Sequence, residues 1–314
     1  MADASVNPLL EQLRAGKPIP ADALAGADLR EADLAGVRLG GLDLRGARLD
    51  GANLTGTVWR ACHLDEIRFD QAVLSEAAFI ACQGRGASLR AAQANKVWMK
   101  QCVWQDVDFR QADLTRFSAL SVTFSGCQLQ TATLAQAWLS QCDLSGLDLS
   151  GVTWAQSHFP DCQLRGTRLT GASLAQCSFN RIDGSAADFT GVQAPSISFY
   201  GARLDGARFD GAVLDGAIFD QTRLDHANFS RASLNAARLY GVCSLGMTFA
   251  GCKLVEADLS HLQAARADFS HADLSRARLH AAQLPDALWQ DTVLDDVRRD
   301  DPELRAAELW HPPV

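Results

Sequence analysis

Large apolar side chains recur every five residues along this chain. From Leu24 the series runs through Leu29, Leu34, Leu39, Leu44, Leu49 and Leu54, then Trp59, Leu64, Phe69, Leu74 and Phe79, and it keeps register to Leu304 and Leu309. Of 58 such positions, 50 are Leu, Phe, Trp or Met, and of the 14 Phe residues only Phe117 lies outside the frame. An α-helix repeats every ~3.6 residues and a strand every ~2, so neither produces the pattern. Two residues before each large position sits a mostly small one, as at Ala27, Ala32, Ala47, Ala52 and Cys62. Two residues after it Gly is frequent, as at Gly26, Gly36, Gly41, Gly46 and Gly206. A unit with two inward side chains and a polar remainder must turn after each short extended piece.

The units read ADLRE, ANLTG, ARLDG, ARFDG and ANFSR. On these residues the chain resembles the pentapeptide-repeat family, whose unit is A(D/N)LxX, over roughly residues 19–299. The resemblance implies an all-β solenoid: a right-handed quadrilateral β-helix of about 14 coils, four units to a coil. At the usual strand spacing of roughly 4.8 Å the stack would be about 70 Å long. The expected organisation is an N-terminal capping helix in residues 1–18, the β-helix over 19–299, and a C-terminal capping helix and tail over 300–314. Helix signals support both ends. Asn7–Pro8 precedes the apolar Leu9, Leu10 and Leu13, and Asp301–Pro302 precedes Leu304, Ala307 and Trp310.

Sorted by face, the large rings fall on two opposing walls, with Leu between them. Gly84 with Ala94, and Gly184 with Ala194, break the large column in pairs. Near-constant core volume per coil reads these as compensated gaps, Trp104 above Gly84 and Phe179, Phe189 and Phe199 around Gly184, with a ligand cavity as the alternative. Eight of the nine cysteines occupy the small inward column, Cys62, Cys82 and Cys102 stacking on one face. They read as buried, reduced thiols of a cytoplasmic protein.

The net charge is −8, and residues 286–308 hold −5 of it. That balance argues against nucleic-acid binding. Residues 1–20 lack a signal-peptide pattern and no apolar run reaches membrane-spanning length. The expectation is a cytoplasmic protein, with export by a specialised secretion system left open. No metal-ligand spacing, nucleotide loop or nucleophile motif is present, so neither catalytic residues, a metal nor a cofactor is expected.

The candidate chemistry is therefore binding. Outward positions beside Trp59, Phe79 and Met99 carry Val58, Ile80, Trp98, Leu120 and Trp138, where polar residues are the rule. Arg85, Arg90, Lys96, Lys100, Arg110 and Arg116 flank them. Trp with Arg is the composition of an interface hot spot, and scattered surface apolar residues are the plain alternative. The reading is a non-enzymatic scaffold or adaptor for a protein partner of unknown identity. The opening LLEQLRAGKPIPADALAGADL resembles pentapeptide-repeat proteins associated with type VI secretion. The family also implies two further possibilities: a homodimer through the C-terminal helix, carried by Leu304, Ala307 and Trp310, and DNA mimicry toward gyrase, as in quinolone-resistance or toxin-immunity members. Duplex DNA carries about one charge per 1.7 Å, far more than this chain offers over the same length.

Overall fold

The computed structural model describes residues 7–310, in two compact units that divide between Ser173 and Leu174. Both are parallel β-solenoids on a single register: each residue pairs with the one 20 positions later, as in Arg38↔Val58 and Gln263↔Gln283. Five-residue units therefore close four to a coil. At that period residues 24–173 make about seven and a half coils and residues 174–299 about six.

Among the described residues only eleven short strands form, joined in eight pairings. In the first unit β1 (Arg38–Gly40), β2 (Val58–Arg60), β3 (Ala78–Ile80), β4 (Gln83–Arg85), β5 (Trp98–Lys100), β6 (Val103–Gln105), β7 (Ser118–Leu120), β8 (Thr123–Ser125) and β9 (Trp138–Ser140) make two sheets. One has six strands in the order β1-β2-β3-β5-β7-β9, the other three in the order β4-β6-β8. In the second unit β10 (Cys243–Leu245) pairs with β11 (Gln263–Ala265). Elsewhere the ladder consists of isolated bridges on the same register.

The five-residue unit has a simple physical basis. At most corners the N–H of the small residue donates to the C=O of the large residue three before it, as in Ala27 to Leu24 at 3.2 Å. Between them, the residue after the corner has φ near +60°, as at Gly26 (+65°), which is the turn geometry that favours glycine. Thirty-five non-glycine residues hold the same conformation, Glu31 and Thr131 among them. Inter-coil hydrogen bonds and core burial override the local preference.

Both inward columns are buried throughout residues 24–278, apart from Ala27 and the partly covered edge of the first coil. In the second unit Phe189, Phe209, Phe229, Phe249, Phe269 and Trp289 stack face to face, with centroids 4.7–5.2 Å apart. The opposing Phe179, Phe199 and Phe219 form a second stack and meet the first edge-on. The two-wall arrangement expected from the frame is present.

Where the large column turns small, a second rule operates. At five of the seven such positions the small-column residue two earlier becomes large: Phe117 before Ala119, Ile182 before Gly184, Val192 before Ala194, Val242 before Ser244 and Leu262 before Ala264; Cys82 before Gly84 and Ala92 before Ala94 stay small. Gly184 is thus filled by Ile182 and Leu204 rather than by the surrounding rings. A Cβ there would lie 2.9 Å from Leu204 Cδ2 and 3.2 Å from Ile182 Cδ1. Gly84 follows the expected route, because a Cβ on it would lie 2.6 Å from Trp104 Cζ3.

Hydroxyl and thiol side chains in the small column also have a bonding role. Cys102, Cys162, Ser157, Thr167 and Thr222 each donate to the carbonyl 23 residues earlier, at 2.8–3.4 Å. Burial pushes Cys127 and Cys252 up to about 12. These thiols stay protonated and unreactive.

The two ends differ. Helix α1 (Asn7–Arg14) buries Leu10 and Leu13, and its Arg14 side chain donates to the Asp33 carbonyl at 3.1 Å, so the first coil is covered. Helix α2 (Pro302–Glu308) buries no side chain. Leu304 and Leu309, the last members of the five-residue frame, are exposed rather than inward, because the chain has already left the coil. Ala307 and Trp310 are exposed as well. The expected C-terminal cap therefore does not cover the core as α1 does. The last coil leaves Leu284, Trp289 and Leu294 only partly covered around an open cavity of about 610 Å³. The part of the expected tail beyond residue 310 lies outside the described residues.

Candidate protein-docking face

The six-stranded sheet brings all five predicted surface residues together. In each strand the central side chain is buried and its two neighbours point outward. Val58, Ala78, Trp98, Ser118 and Trp138 follow one another in register along one outward column. Ile80, Lys100, Leu120 and Ser140 follow along the other. Trp98 and Trp138 are 38% and 51% exposed, two strand spacings or roughly 10 Å apart, with the short Ser118 between them. The imidazole of His158 continues the column, 5.3 Å from the Trp138 ring. Tyr200 and Tyr240, in the second unit, are exposed at the equivalent positions of the repeat.

The buried side of this sheet explains its regularity. Trp59 stacks on Phe79 at 5.5 Å, and its indole N–H donates to Thr57 Oγ1 at 2.8 Å. The indole of Trp104 donates to Met99 Sδ at 3.1 Å. Satisfied, tightly packed rings under the sheet hold the outward Trp98 and Trp138 on a firm base.

Charge separates this face from its neighbours. Outward positions of β1, β2, β3, β5, β7 and β9 include Arg38, Arg60 and Lys100 and no acidic residue. These three cations form no ion pair among the described residues, whereas most other outward arginines do. Arg68 lies 3.0 and 3.1 Å from Asp50 and Asp70, and Arg110 lies 2.6 Å from Asp108. Of the basic residues expected to flank the cluster, Arg85, Arg90, Lys96 and Arg110 are paired with acids, and Arg116 donates to Gln136. Only Lys100 is free there; Arg38 and Arg60 complete the set. The sheet β4-β6-β8 offers mainly polar outward residues, Val103 excepted.

Acidic side chains are mostly engaged in the fold. Asp43 accepts from its own turn at Arg45 N and from the Arg45 guanidinium, whose hydrogen bonds hold its carboxyl at about 2. Asp65, Asp215 and Asp225 each accept from the backbone N–H 20 residues later, at 2.8–2.9 Å. The acids therefore bind one coil to the next rather than presenting a free anionic stripe.

A second cluster escaped the sequence reading. Glu308 of α2 bridges His261 Nε2 at 3.0 Å and His280 Nε2 at 3.4 Å, with all three ligand atoms within 4.8 Å of one another. The signal was the spacing of 19 between the histidines, one coil less one residue, which sets them side by side. The set resembles a metal centre, but Asp301 N–H donates to His280 Nδ1 at 3.1 Å. Nδ1 must then be the bare nitrogen and Nε2 the protonated one, whereas a ligating histidine needs the reverse. Burial pushes the Glu308 carboxyl up, but hydrogen bonds from both histidines outweigh it and leave it below the usual range. The cluster is a clasp that holds α2 against the coils.

The chain belongs to the pentapeptide-repeat family. Family models described as "Pentapeptide repeat region" and "Pentapeptide repeats (8 copies)" match residues 132–209, and residues 24–58, 197–231, 219–243 and 248–288, respectively. Among solved structures, a trypsin-treated variant of QnrB1, a plasmid-mediated fluoroquinolone resistance protein, is 24% identical and covers 63% of this chain and 97% of its own, with a TM-score of 0.35. HetL, involved in heterocyst differentiation regulation in Nostoc sp. strain PCC 7120, is 23% identical and covers 94% of this chain and 97% of its own, with a TM-score of 0.24. A pentapeptide-repeat protein of the Arabidopsis thaliana thylakoid lumen is 29% identical over 28% of this chain and 61% of its own, with a TM-score of 0.23. No curated protein matches the chain. Among the described residues no helix is long and apolar enough to cross a membrane.

Proposed function

We propose that this protein is a non-enzymatic scaffold that docks a protein partner on the outward face of the six-stranded sheet. The observation that carries this reading is the exposure of Trp98 and Trp138 on an acid-free sheet face whose cations have no ion-pair partner among the described residues. A rigid aromatic anchor costs little conformational entropy to bury, and Trp and Arg dominate interface hot spots. Among the described residues no cleft gathers a convergent acid, base and nucleophile, which catalysis needs. Secretion-associated adaptors would use such a surface. DNA mimicry draws no support from the acids of the coils, most of which are spent on turns and inter-coil bonds, and the unpaired acids of residues 286–303 are too few to match a duplex.

The test is affinity capture from the source organism with the wild-type chain, a Trp98→Ala/Trp138→Ala variant and a Val103→Ala control. A partner retained by the wild type and the control but lost by the double variant supports the reading. Equal capture by all three sinks it.

A further inference from the structure

Resting on the reading of this sheet as a docking surface, we propose that its partner is the acidic C-terminal segment, residues 286–310, of a second copy of this chain. The two surfaces are complementary in charge. Arg38, Arg60 and Lys100 on the face are unpaired, and so are Asp286, Asp295, Asp296 and Glu303 in the segment, among the described residues. The other four acids of the segment are engaged: Asp291 beside His271 at 3.5 Å, Asp300 with Arg305, Asp301 as the cap of α2, and Glu308 in the histidine clasp. Free acids thus outnumber the segment's own unpaired Arg298 and Arg299, while the unpaired cations of the face stand among outward residues that include no acid.

The two surfaces also match in apolar exposure. Half of the exposed large apolar residues lie in the segment: Leu288, Trp289, Val293, Leu304, Leu309 and Trp310. The clasp fixes α2 through Glu308 yet leaves Leu304 and Trp310 in solvent. Apolar surface this concentrated, rimmed by charge, is a feature of interaction sites. The face offers the counterpart in Trp98 and Trp138, with opposite charge at its rim. Because segment and face are different surfaces, the contact is heterologous. One copy keeps its segment free and the other its face, so association continues past a pair or closes into a ring.

Sedimentation velocity on the full chain, across concentration and salt, reads this directly. The expected result is a weight-average mass that climbs beyond a dimer and falls at least tenfold in apparent affinity at ~1 M salt, where the Debye length shrinks to ~3 Å. Charge exchange makes the test specific. Arg60→Glu/Lys100→Glu and Asp295→Lys/Asp296→Lys should each be monomeric alone, and mixing the two should restore association. Matching thermal melts would exclude misfolding. A chain that is monomeric at every concentration overturns this inference while leaving the capture result to decide the docking face itself. Association that survives both charge reversals unchanged, or stops at a dimer joined by the C-terminal ends, overturns it too.

Discussion

Phe117 and Ala119 trade sizes within one repeat unit. Phe117 fills the column where Ala or Cys usually sits, Ala119 takes the place of a Leu or Phe, and both are 2% exposed. Their neighbours Phe109, Leu114, Phe124 and Leu139 enclose only a small residual void. Core volume is conserved across the pair rather than at each position. Phe117→Ala should therefore cost about 3–5 kcal/mol, the range for truncating a buried ring. Adding Ala119→Phe should recover most of the loss. Urea unfolding of the two variants checks this; a double variant no more stable than the single one would show that the columns are not interchangeable.

Thr131 holds φ at +67° in a turn where β-branched residues are disfavoured, and its hydroxyl accepts from Gln111 N–H at 3.2 Å. Thr131→Asn relieves the strain while keeping an acceptor. The expected gain is about 1 kcal/mol, read as a higher midpoint in thermal melting.

Eight of the nine cysteines are buried and Cys243 alone is exposed. A chromogenic thiol reagent at mildly alkaline pH should thus modify one thiol per native chain, and all nine after unfolding. Rapid native labelling at Cys62, Cys82 or Cys102 would contradict the inward placement of the small column.

Acid should weaken the fold through carboxylates paired with arginine. The Asp43 carboxyl is held at about 2, against an ordinary value of 3.8, by hydrogen bonds from Arg45, and Arg30 lowers Asp28 in the same way. A lowered native value stabilises the folded chain above the unfolded value, and the contribution disappears as pH falls through the native one. Melting temperature should be level down to pH ~4 and decline from there toward pH ~2. Asp43→Asn should flatten that decline slightly.

Much of this structure was legible in the sequence because a solenoid converts period into geometry. The frame from Leu24 alone puts Trp98 and Trp138 outward on a shared face, where the sheet register has them. Compensation at Ala119 and Gly184 was less visible, because the filling residues Phe117 and Ile182 sit in a column that usually holds small side chains. Ion pairing was invisible as well. Whether Arg85 or Arg60 is free depends on what the next coil presents, and only Arg85 faces an acid, Asp106 at 3.6 Å. At the C-terminus the five-residue spacing of Leu304 and Leu309 persisted by coincidence through a helix, where it no longer implies burial. The clasp was missed because Glu308 reaches His261 and His280 from outside the repeat.

The central claim is that the outward face of β5 and β9 does the work of this protein, and a photo-reactive side chain placed at Ser118 tests it most directly. That position lies between the two indoles on the same column. Irradiation should yield a discrete crosslinked species, whether with another protein or a second copy, that disappears when Trp98 and Trp138 are replaced by alanine while the melting temperature stays the same. No crosslinked species, or one that persists undiminished without both indoles, would contradict the account.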